Sequence, residues 1–101
     1  MSWADEAIEK LQQGEKAQVR PRGSSMVGKV NDGDTVTLEP CDPKKLAVGD
    51  IVLVKVKGYV YLHLIKAANN GRFLIGNNRG GTNGWVGTNS IYGKAIKIKP
   101  G

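Results

Sequence analysis

Glycine and turn residues cut this chain into pieces that suit strands and little else. From Gly14 onward, no stretch free of glycine, proline and asparagine outlasts Tyr59–Ala68, whose apolar-rich part is Tyr59–Ile65. Runs of that length, rich in β-branched and aromatic residues, are too short for core helices. With 14 glycines and four prolines among 101 residues, the pattern points to a mainly β domain. A domain this short buries only about two-thirds of its unfolded surface. The expected fold is therefore a small, twisted, barrel-like β-sheet folded over on itself, with one short N-terminal helix.

The helix is expected over residues 2–13. Ser2 can cap it, and Asp5 and Glu6 lie in the first turn, where the helix dipole favours acids. Ala4, Ala7, Ile8 and Leu11 recur at helical spacing, and Gly14 is a natural stop. Residues 1–14 thus form a helical leader and residues 15–101 the β domain. Strands are expected at 16–20, 35–39, 51–56, 59–65, 72–75 and 91–98. In the last, Ile96 and Ile98 should share one face and Lys97 and Lys99 the other. Lys57-Gly58 and Asn70-Gly71 read as hairpin turns, the second of type I′. The polar stretch Gly76–Gly84 reads as a nine-residue loop, long enough to suggest a function. Trp85-Val86 is expected to touch the sheet again. Gly33-Asp34 and Gly49-Asp50 each precede a β run. In both pairs glycine permits the turn and the aspartate can bind the turn's own amides.

Charge is distributed unevenly. Residues 1–50 carry seven basic and nine acidic side chains, residues 51–101 eight basic and none acidic. A basic face could meet phosphate or an acidic partner, but a lysine-decorated, solvated sheet accounts for it as well, and nucleic acid is not the expected partner. No apolar run approaches the roughly 20 residues of a membrane span. The N-terminus has acids where a signal peptide has bases. The lone Cys41 suits a reducing compartment. The expectation is a cytoplasmic protein with no membrane association. One histidine and one cysteine make no metal site, and no cofactor is expected.

Chemistry centres on hydroxyls and one imidazole. Ser24 and Ser25 stand between Gly23 and Met26, and a serine becomes a nucleophile only when a neighbouring base takes its proton. The single histidine, His63, lies in the Tyr59–Ile65 strand. Alternation places it with Tyr59, Tyr61 and Ile65, opposite Val60, Leu62 and Leu64.

Gly23-Ser24-Ser25-Met26, Gly33-Asp34, Gly49-Asp50-Ile51-Val52 and Tyr61-Leu62-His63-Leu64-Ile65, in that order, resemble the LexA-type repressor peptidases and signal peptidases. Phe73-Leu74-Ile75-Gly76-Asn77-Asn78 is similar to a further strand of that family. The resemblance covers roughly residues 15–98. It implies Ser25 as nucleophile and His63, 38 residues later, as general base in place of the lysine of LexA-type enzymes. It implies a peptide or protein substrate, and a homodimer of the LexA kind. Gly23, Ser24 and Met26 would form the substrate and oxyanion turn, served by backbone N–H groups. The chain departs from the pattern at Leu64, where an arginine is usual. It also has no acid after Asp50 to orient the histidine. Asp34, Asn77 and Asn78 are the candidate substitutes, since an asparagine can orient a histidine without supplying charge. The family's Ala-Gly or Cys-Gly cleavage pair is absent from residues 1–24. The leading expectation is a serine peptidase with a Ser25–His63 dyad. The alternative is a catalytically decayed peptide-binding or dimerisation module on the same fold.

Overall fold

The computed structural model describes residues 3–23 and 26–101. The proposed Ser2 cap lies outside them, as do Ser24 and Ser25. The helix, α1 (Asp5–Gln12), starts from Ala4 without a side-chain cap. It buries Ala7 and Leu11, with Ile8 partly covered. Its end is a Schellman turn: Glu15 N–H donates to Lys10 O at 2.9 Å and Gly14 N–H to Leu11 O at 3.1 Å. Gly14 takes the φ of +83° this turn needs.

Among the described residues seven strands follow: β1 (Ala17–Val19), β2 (Thr35–Glu39), β3 (Ile51–Val56), β4 (Tyr59–Asn69), β5 (Arg72–Gly76), β6 (Thr82–Gly87) and β7 (Ile91–Lys99). They form one antiparallel sheet in the order β1-β2-β7-β3-β4-β5-β6, curled into a half-barrel. The turn chemistry is as expected. Lys57 and Gly58 join β3 to β4 with φ of 51° and 87°, and Asn70 and Gly71 join β4 to β5 with φ of 50° and 78°. Both signs are those of type I′ turns.

The two Gly-Asp pairs build the same device twice. Asp34 Oδ2 accepts from Asn31 N–H, and Asp50 Oδ2 accepts from Ala47 N–H, each at 2.9 Å. Asp34 N–H and Asp50 N–H return to Asn31 O and Ala47 O at 3.0 and 3.1 Å. Each carboxylate so fixes the turn that launches a strand.

Strand alternation splits the core between the two faces of the sheet. Leu53, Leu62 and Leu64 pack with Val36, Leu38 and the buried side of α1. Val52, Val54 and Val56 pack on the other face with Ile65, Phe73, Ile75 and Val86. The helix docks over Gly93, where a Cβ would stand 2.9 Å from Leu11 Cδ2 and 2.8 Å from Glu39 O.

Three departures from the sequence reading have local causes. Thr37 faces Lys97 and Leu38 faces Ala95, so Ile96 is an extra, bulged residue on β7. Ile96 is therefore 44% exposed while Ala95 and Ile98 pack on the core, and the expected shared face of Ile96 and Ile98 does not form. β4 continues beyond Ile65 to Asn69, with Lys66 as an extra residue against β5. The nine-residue loop is shorter than expected, because Thr82–Gly84 belong to β6. Trp85 and Val86 do rejoin the sheet.

Candidate functional site

β4 carries His63 opposite Val52 of β3. Its side chain is 5% exposed and stacks on Tyr61, two residues away on the same face, with ring centroids 4.7 Å apart. Asn83 Oδ1 lies 2.8 Å from His63 Nδ1. With the carbonyl oxygen as acceptor, Nδ1 carries the proton and the neutral ring's lone pair sits on Nε2. Burial holds the His63 pKa below its ordinary value, and the Asn83 hydrogen bond opposes that in part. A neutral imidazole at pH 7 is the form that can accept a proton.

Asn83 reaches this position through a bulge. Ile75 pairs with Gly84 and Gly76 pairs with Thr82, which leaves Asn83 as the extra residue of β6. Bulges re-aim a side chain in this way. Gly84 follows at φ +139°, a conformation that favours glycine.

The two asparagines expected to assist have other partners. Asn77 Oδ1 accepts from Arg79 N–H and Gly81 N–H, each at 2.9 Å, and Asn77 N–H donates to Gly81 O at 3.0 Å. A Cβ on Gly76 would collide with Gly81 O, so the chain closes tightly here. Asn78 Nδ2 donates to Val27 O at 2.8 Å. It ties this loop to the turn in which Met26 O accepts from Lys29 and Val30. Asp34, 6% exposed, spends its oxygens on Asn31 N–H and on Gly101 N–H at 3.2 Å. Of the downstream amides, Asn83 is the one placed on His63. The sequence signal for it was the amide-rich 76–84 stretch, which did not single it out.

Gly23 and Met26 bracket Ser24 and Ser25, which lie outside the described residues. Gly23 adopts φ +103°, and its N–H donates to Asp32 Oδ1 at 2.8 Å. That N–H is thus engaged, and an oxyanion would need other amides of the turn. Met26 is buried in the core beside Val30. Gly23, Met26 and His63 line one cavity of about 280 Å³, together with Arg20–Arg22 and Val60–Leu62. Consecutive residues of β4 point to opposite faces, so a cavity lined by residues 60–63 runs along the strand's edge. Among the described residues that edge carries no strand: residues 59–63 pair with β3, and pairing with β5 begins at Leu64.

Among the described residues no helix is long and apolar enough to cross a membrane. A search of the curated proteins returned no match. The family model described as Peptidase S24-like matches residues 3–95. That span includes α1, residues 23–26, His63, Asn83 and all of the sheet but the end of β7. It agrees with the LexA and signal-peptidase superfamily suggested by the motifs. The chain, with its peptidase-like half-barrel, belongs to the Peptidase S24-like family.

Proposed function

We propose that the chain is a serine peptidase in which Ser25 attacks a peptide carbonyl, His63 is the general base and Asn83 orients His63. The observation that carries this reading is the 2.8 Å contact between His63 Nδ1 and Asn83 Oδ1, at the wall of a cavity shared with Gly23 and Met26. A histidine fixed through Nδ1 offers Nε2 as the base. Ser25 Oγ gives its proton to Nε2 as the Oγ–carbon bond forms. The imidazolium then protonates the leaving amine as the carbon–nitrogen bond breaks. Water then gives a proton to Nε2 as its oxygen bonds the acyl carbon, and that proton passes to Ser25 Oγ as the Oγ–carbon bond breaks. A substrate would add in extended form along the open edge of β4.

Asn83 supplies orientation to the imidazolium formed in each step, and does so without charge. Slow turnover follows from that. A fluorophosphonate probe is expected to label the wild-type protein and Ser24→Ala, and to leave Ser25→Ala and His63→Ala unlabelled. An unlabelled wild type across pH 6 to 9 would overturn the assignment.

A further inference from the structure

The cavity beside His63 has a cationic rim that the proposed chemistry does not use. Arg20 and Arg22 both line it and both are exposed. Pro21 between them biases Arg20 to extended backbone, where alternate side chains share a side. Neither guanidinium has an ion-pair partner among the described residues, whose one salt bridge joins Lys94 to Asp50. Asp32 accepts from Gly23 N–H at 2.8 Å, and no Asp or Glu is part of the lining. Trp3, Met26, Val30 and Leu62 supply an apolar part of the lining, beside Asn31, Tyr61 and His63. At about 280 Å³ the space suits a side chain or two of a bound peptide, being just under the size of a drug-like site.

We infer that this cavity is a recognition subsite for an acidic side chain, Asp or Glu, of an extended peptide lying along β4. The inference rests on the proposed peptidase reading for the identity of the ligand as a peptide. Arginine's planar fork matches a carboxylate in bidentate fashion. Two such groups beside Met26, Val30 and Leu62 would accept the carboxylate and short aliphatic stem of Asp or Glu and reject Lys by like charge.

The test is a set of fluorescein-labelled decapeptides of Gly, Ala and Ser, each carrying one Asp, Asn or Lys at a scanned position. Binding is read by anisotropy on the Ser25→Ala protein, so that no cleavage intervenes. At one position Asp is expected to bind about tenfold tighter than Asn, the gain of one charge-assisted contact. Lys should bind more weakly than Asn there. The Arg20→Glu/Arg22→Glu double variant should reverse the order, with Arg20→Gln/Arg22→Gln merely flattening it. Both positions are exposed, and a matching circular dichroism spectrum verifies folding. Equal binding of Asp and Asn, a preference that survives the double reversal, or no binding of any peptide would overturn the inference. An acid preference in a wild type that never labels or cleaves would sink the peptidase reading alone. Cleavage without charge preference would sink the subsite alone.

Discussion

Asn83 lies 2.8 Å from His63 Nδ1 because β6 holds one residue more than β5 at that point. His63 and Asn83 come from strands with β5 between them in the sheet. The bulge at Asn83 is what bridges that separation.

Removing the amide therefore tests both orientation and stability. Asn83→Ala leaves a buried ring N–H without its acceptor, which costs about 1–3 kcal/mol, read as a lower urea midpoint. Probe labelling of Ser25 should slow by at least an order of magnitude. Labelling at the wild-type rate would remove Asn83 from the mechanism.

Asn83→Asp adds a negative charge at the same place. An opposite charge at this range raises a histidine pKa by about 1–3 units. Labelling of this variant should fall off at a higher pH than in the wild type as the solution is acidified, and its rate above that pH should rise. A pH profile superimposable on that of the wild type would contradict the geometry.

Burial lowers the His63 pKa in the folded chain, and the sign of the linkage follows. The unfolded chain takes up this proton near pH 6.5, the folded chain only at lower pH. Between those values the unfolded state binds more protons, so acidification from about 6.5 destabilises the fold until the folded value is passed. Above about 6.5 the contribution is fully present. Urea midpoints of the wild type should drop more between pH 7 and pH 5.5 than those of His63→Gln. Parallel slopes would show that the ring does not resist protonation.

Gly93→Ala tests the seat of the helix. The added Cβ meets Leu11 Cδ2 at 2.9 Å and Glu39 O at 2.8 Å, so α1 or β2 must shift. Overpacking of this kind costs about 1–3 kcal/mol. A lower midpoint with reduced helical signal in the far ultraviolet is expected, and an unchanged melt would refute the close approach.

What could be read from the sequence was local. Gly14, Lys57-Gly58 and Asn70-Gly71 need positive φ within a few residues of where they stand, and each turn is where its residues indicate. The Gly-Asp pairs likewise bind within three residues. His63 could be assigned to a face because β4 alternates without a break from Tyr59 to Ile65. The reading lost its footing at Ile96 and Asn83, where an extra residue reverses the alternation. Such a residue is defined by what the neighbouring strand does, so neither side chain's direction is written in its own segment. Asp34, Asn77 and Asn78 were reasonable substitutes by residue type, but turn closure and the tie to Val27 occupy them.

The five residues between β5 and β6 have a consequence for how this chain can vary. Ordinary surface connections tolerate insertions and deletions. Here one end of the connection is pinned by Asn78 to Val27, next to Met26, and the other delivers Asn83 to His63. Its length is thus a spacer between the Val27 segment and His63. A single added or lost residue would leave every strand intact and still put the amide out of reach of the ring.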